Sequence, residues 1–150
     1  MVDARIALLD NVTAGRKKES GMATITKIEI ENFECKSADR ADEQRTFDKG
    51  QVDMVTVAGT TFARVVFQPG WRWSDSVKPI VNTESCEIPH LQYHIKGRLH
   101  VRMDDGTELE FRPGDVSSIP AGHDAWVVGE EACEMIAIEG MVDYAKKPEL

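Results

Sequence analysis

Short apolar runs alternate with turn residues along most of this chain. Between residues 51 and 138 the turns recur about every eight to twelve positions, the spacing of an antiparallel sandwich or barrel. Residues 51–57, 60–67, 89–95, 98–103, 107–111, 116–119, 124–128 and 133–138 are the expected strands, separated by turns such as Ala58-Gly59, Pro69-Gly70 and Lys96-Gly97. Asp104-Asp105-Gly106 lies between two β-rich runs and predicts a hairpin, because glycine accepts the positive φ such a turn requires. Pro113-Gly114-Asp115 and Pro120-Ala121-Gly122 supply two more turns. The pattern predicts an all-β domain of about nine to eleven short strands, with almost no helix and no internal repeat.

The first 46 residues follow a different pattern and read as an extension and lead-in. Residues 1–21 are weakly patterned, Met22 is a second candidate start, and Ile25, Ile28 and Ile30 could form a short strand. Residues 36–44 are charged, with few large apolar side chains, and read as a linker or irregular lead-in. The compact domain is expected over residues 47–150, with a short tail from Met141 to Leu150.

At 150 residues the chain fits one domain, and its 41% hydrophobic content is enough to bury a core. Eighteen basic against 26 acidic residues give a formal net charge of -8, which repels a phosphate backbone and excludes nucleic acid as an expected partner. The apolar run Ile6–Leu9 is too short for a signal-peptide core, and no run approaches the roughly 18 apolar residues of a membrane span. A cytoplasmic location is therefore the expectation. Cys35, Cys86 and Cys133 make an odd count without a C-x-x-C pair, which argues against a disulfide framework and a zinc ribbon.

The stretch from Tyr93 to Trp126 resembles the cupin superfamily. It contains Tyr-His-Ile-Lys-Gly-Arg-Leu-His-Val, then Asp-Asp-Gly-Thr-Glu, then Pro-Gly-Asp-Val-Ser-Ser-Ile-Pro-Ala-Gly-His. The second cupin motif reads G-x5-P-x-G-x2-H, and Gly114, Pro120 and Gly122 match its first fixed positions. Residues 47–144 also look like a group of small single-domain bacterial cupins carrying Pro-Gly-Trp-Arg-Trp-Ser, here Pro69–Ser74, and Gly-His-Asp-Ala-Trp-Val-Val-Gly, here Gly122–Gly129. The resemblance implies a double-stranded β-helix, or jelly-roll barrel, and a homodimer. It also locates the departures from the family pattern. The first motif, G-x5-H-x-H-x3,4-E-x6-G, ends at Gly97, so His90 stands where the metal-binding Glu is usual. The H-x-H pair falls on Glu84 and Cys86, or on Thr83 and Ser85, and the second-motif His falls on Ala125.

Strand alternation puts His90, Gln92 and His94 on one face and Leu91, Tyr93 and Ile95 on the other, and the resemblance turns the His90 face inward. His123 precedes Ala125 by two and shares its face if that strand is already extended. Imidazole nitrogens suit zinc, nickel, iron or copper, and an open coordination position could polarise a substrate or activate water. At about 3.3 Å per residue, His90 and His94 are roughly 13 Å apart in a straight strand, too far to share one ion. The favoured metal set is therefore His90 and His123 with Cys86, or Glu84 in its place, while His94 serves as a deeper donor or base. Alternatively, His94 pairs with a residue of another strand, the inward histidines only hydrogen-bond core polar groups, and Cys86 is a small buried hydrophobe.

Gln92, Trp126 and Trp73 are expected to bind substrate. Trp71 and Trp73 share strand parity and either line the cavity or cover a barrel end or subunit contact. His100 alternates with Arg98 and Arg102 and reads as solvated surface. Two functions follow. One is a metal-dependent enzyme, an oxygenase, isomerase or lyase, acting on a small polar or anionic metabolite with His94 transferring a proton. The other is a metal-free small-molecule binding or sensing module built from the same pocket.

Overall fold

The structure, a computed structural model, describes residues 27–149. The expectations for residues 1–21, Met22 and Ile25 lie outside the described residues, and the chain through Ile28 and Ile30 is irregular rather than a strand.

Nine strands follow: β1 (Glu43–Phe47), β2 (Gly50–Val57), β3 (Thr60–Phe67), β4 (His90–Lys96), β5 (Leu99–Met103), β6 (Glu108–Phe111), β7 (Val116–Ile119), β8 (His123–Val127) and β9 (Cys133–Glu139). They form a six-stranded sheet, β1-β2-β3-β9-β4-β7, and a three-stranded sheet, β6-β5-β8. All the paired strands run antiparallel. The alternating runs of the sequence mark eight of these strands to within a residue or so at each end. β1 lies instead in the charged stretch. Its pairing with β2 is stabilised by polar side chains, with Gln44 Nε2 donating to the buried Asp53 carboxylate at 2.8 Å. Gln51 and Arg64 also donate to Asp53, so that buried charge is paired.

The core follows strand parity. Val52 and Met54 of β2, Val65 and Phe67 of β3, and Met135 and Ala137 of β9 are buried with Leu99 and Val101 of β5 and Ala125 and Val127 of β8. Each large apolar side chain contributes about 1.5–3 kcal/mol by leaving water. The β5–β6 hairpin forms at Asp104-Asp105-Gly106 as expected, with Gly106 at φ +89° and the Met103 N–H donating to the Thr107 carbonyl at 2.8 Å. Gly97, in the turn between β4 and β5, has a steric reason to be there. Its φ is +76°, and a Cβ would sit 2.4 Å from the Ala132 carbonyl oxygen.

Between β3 and β4 the chain departs from strand parity. Trp73 opens a single-turn helix, Trp73–Ser76, followed by a second, Lys78–Val81. The shared strand parity expected for Trp71 and Trp73 is therefore corrected: the backbone turns helical at Trp73, and both indoles are core side chains, 2% exposed. Trp71 stacks on Phe67 with ring centroids 3.7 Å apart. No helix among the described residues is long and apolar enough to cross a membrane.

Candidate metal centre

β4 presents His90, Gln92 and His94 inward, all buried, while Leu91, Tyr93 and Ile95 face outward. β8 presents His123, Ala125 and Val127 inward. Cys86, in the loop before β4, reaches the same end of the fold through a short bridge to β8. Its N–H donates to the His123 carbonyl at 2.8 Å, and its own carbonyl accepts from the Gly122 N–H at 2.7 Å. The result is a buried group, Cys86, His90 and His123, whose donor atoms lie within 4.8 Å of one another. Among the described residues, His94 is not part of it.

Each side chain of the group is held in a definite way. Cys86 Sγ is 3.6 Å from His90 Nε2. His123 Nδ1 meets the Pro120 carbonyl at 2.7 Å, and since a carbonyl only accepts, that nitrogen carries the proton and Nε2 keeps its lone pair. A backbone carbonyl on the remote ring nitrogen is the usual outer support of a metal-bound imidazole. His90 Nδ1 is buried with no hydrogen-bond partner among the described residues. Tyr144 from the C-terminal tail packs edge-on against the His90 ring at 5.5 Å, and His90 and His123 meet edge-on at 5.4 Å.

Burial controls the protonation of the group. It lowers the His90 pKa to about 3, with nearby His123 adding to the effect, and it also lowers that of His123. Burial pushes the Cys86 thiol up to about 11. Both imidazoles are therefore neutral near pH 7, as a ligand requires, and the thiol is protonated until an ion displaces its proton. The donor set, one sulfur and two imidazole nitrogens, fits a zinc-class divalent ion. His90 also lines an open groove of about 930 Å³, together with Glu87, Pro89, Ile119, Glu139 and Val142.

The remaining expected residues fall elsewhere. His94 lies further along β4, 2.8 Å from the Ser117 hydroxyl and stacked on Phe111 at 5.0 Å, and burial lowers its pKa to about 4. Gln92 is buried between His90 and His94. Trp73 is sealed in the core rather than lining the groove. Trp126 does not face the interior at all. It sits on the outer face of β8 between Arg72, 4.3 Å above its ring, and His100, stacked at 4.6 Å. The odd spacing between His123 and Trp126 already implied opposite faces. His100, expected to be solvated surface, is half-covered by that stack. The sequence reading did not single out Pro120, Tyr144 or Arg45 for the site. Tyr144 carries no local signal of it, because its contact with His90 is distant in sequence, whereas Pro120 stands three residues before His123 in the Pro120-Ala121-Gly122 turn, a signal that was available locally.

No family model matches the chain, and no curated protein matches it. Solved structures do. A protein of unknown function from Rhizobium leguminosarum is 17% identical, with 73% of this chain and 98% of that one covered at a TM-score of 0.53. A cupin-like protein from Thermotoga maritima is 20% identical, with 69% and 79% covered at 0.46. A sugar phosphate isomerase of the cupin superfamily from Silicibacter pomeroyi is 18% identical, with 71% and 74% covered at 0.49. The Rhizobium leguminosarum structure shares the arrangement of antiparallel β-sheets described above. On this all-β frame, Cys86, His90 and His123 could hold a metal ion.

Proposed function

We propose that this protein is a metal-dependent cupin-type enzyme whose ion is held by Cys86, His90 and His123. The convergence of those donors within 4.8 Å in a buried pocket supports the reading more than any other feature. When bound, a zinc-class ion would supply Lewis-acid polarisation of a substrate oxygen, of the kind isomerases and lyases use. The protein supplies the surroundings. Pro120 fixes the His123 tautomer, Tyr144 backs the His90 ring, and the groove admits a small metabolite on the His90 side. His94, neutral near pH 7 and hydrogen-bonded to Ser117, is the group able to accept a proton deeper in the barrel. The groove lining carries Glu87, Glu139 and Asp143 and neither lysine nor arginine, which favours a neutral or cationic polar substrate over an anionic one.

A second reading, a metal-free binding module, is supported by one contact. Cys86 Sγ and His90 Nε2, 3.6 Å apart, can satisfy each other as a thiol-to-imidazole hydrogen bond without any ion. Elemental analysis of untagged protein separates the two. The enzyme reading expects about one equivalent of transition metal, lost in His90→Ala. Metal-free protein from every growth medium, with a melting temperature unmoved by added zinc, nickel or iron, would leave the binding module.

A further inference from the structure

We infer that residues 140–145 form a strap that closes the Cys86, His90 and His123 centre, with Arg45 as its fastening and Tyr144 as the part that bears on the site. The inference deepens the metal-centre reading and rests on it for what the strap protects.

The strap begins where β9 ends. Gly140 has φ +100°, and a Cβ there would lie 2.4 Å from His90 Nδ1 and 2.3 Å from the Pro89 carbonyl oxygen. Only a glycine lets the backbone pass this close to the imidazole. Met141, Tyr144 and Ala145 then turn inward and are buried, while Val142 and Asp143 between them are exposed. This stretch belongs to no sheet, so its carbonyls have no ladder partners. One side chain from far earlier in the sequence takes three of them, one of which, the Met141 carbonyl, also accepts from the Tyr144 N–H at 3.3 Å. Arg45 of β1 donates through Nη1 to the Met141 carbonyl at 3.2 Å and to the Tyr144 carbonyl. Through Nη2 it donates to the Val142 carbonyl at 3.2 Å, and the same nitrogen meets the Glu43 carboxylate.

A guanidinium can do this because its donors lie in one rigid fork, whereas a lysine ammonium offers a single point of attachment. The fastening has a direct consequence at the site. With its carbonyl held by Arg45, Tyr144 sets its ring edge-on to His90 at 5.5 Å and to Phe47 at 5.9 Å. Arg45 is thus a positioning residue acting through the strap backbone, and Tyr144 positions His90. Because the strap is anchored by side-chain contacts and one guanidinium, it can open without unfolding the sheets. Opening it uncovers His90 and, behind it, the Cys86 thiol.

The test reads the thiol directly. In a Cys35→Ser background, metal-free full-length protein is treated with an aromatic disulfide reagent, and modification at Cys86 is followed by mass spectrometry. Arg45→Ala and Arg45→Lys are expected to raise the Cys86 rate at least about tenfold, and Tyr144→Leu likewise, whereas Tyr144→Phe keeps the ring and stays at the wild-type rate. A wild-type rate in folded Arg45→Lys and Tyr144→Leu overturns the strap, as does a tenfold rise in Tyr144→Phe. Arg45→Lys decides the point if Arg45→Ala fails to fold. A second arm loads cobalt and measures its release to a chelator, expected at least about tenfold faster in Arg45→Lys. Absence of cobalt binding in the wild type overturns the metal reading alone, and the thiol rates still decide the strap.

Discussion

Cys86 and His123 are joined backbone to backbone, the Cys86 N–H donating to the His123 carbonyl at 2.8 Å and the His123 N–H returning to the Cys86 carbonyl at 3.3 Å. This bridge holds a loop cysteine to the first residue of β8 and so sets the thiol beside two imidazoles. Cys86→Ser keeps the bridge and removes the soft donor. Cobalt affinity is expected to fall at least about 100-fold, with loss of the sulfur-to-cobalt absorption band, while the melting temperature of the metal-free protein stays within a few degrees. A full-strength band in Cys86→Ser would show that the sulfur does not bind the ion.

His94 makes stability depend on pH. Its folded pKa, lowered by burial to about 4, lies below the unfolded value of about 6.5. The unfolded state therefore takes up a proton first as pH falls. The stability His94 confers is complete above pH 6.5, declines from there toward pH 4, and levels off below it, a loss on the order of 1–3 kcal/mol. Urea unfolding of the wild type and His94→Gln at pH 7.5, 6, 5 and 4.5 should show a shallower decline in the variant. Parallel curves would remove His94 as the cause.

Gly97→Ala places a methyl group into the Ala132 carbonyl at a positive φ. A destabilisation of about 2–4 kcal/mol is expected, read as a lower urea midpoint at unchanged slope. A variant as stable as the wild type would mean that the turn between β4 and β5 can rearrange.

The outer face of the six-stranded sheet exposes Leu91, Tyr93 and Ile95 of β4, with Val116 of edge strand β7 paired opposite Tyr93 and 70% exposed. If a second copy covers this face, sedimentation of the wild type gives a dimer and Tyr93→Lys with Val116→Glu gives a folded monomer. A dimer that survives both changes would place the contact elsewhere.

Much of the fold was legible because strand alternation is a local property. The period-two pattern separates His90, Gln92 and His94 from Leu91, Tyr93 and Ile95 before any contact is known. The turn residues supply the breaks: Asp-Gly at 105–106 makes its hairpin because positive φ is a property of single residues. Where the sequence misled, a local rule was extended past its element. Strand parity does not hold for Trp73 because its segment turns helical, and Trp126 lies outside the pocket because its spacing from His123 sends it outward. β1 was hidden because an edge strand fastened by Gln44 and Arg45 needs little apolar patterning.

By itself, then, the sequence determined the all-β class, the order of most strands, and which residues of β4 share a face, all of which follow from backbone geometry over a few residues. The tertiary structure decided which inward groups meet. Cys86 joins His90 and His123 through a bridge spanning 37 positions of chain, and Arg45 fastens a tail 96 to 99 residues away. Such meetings depend on how strands far apart in the chain pair and stagger, and no local periodicity carries that information.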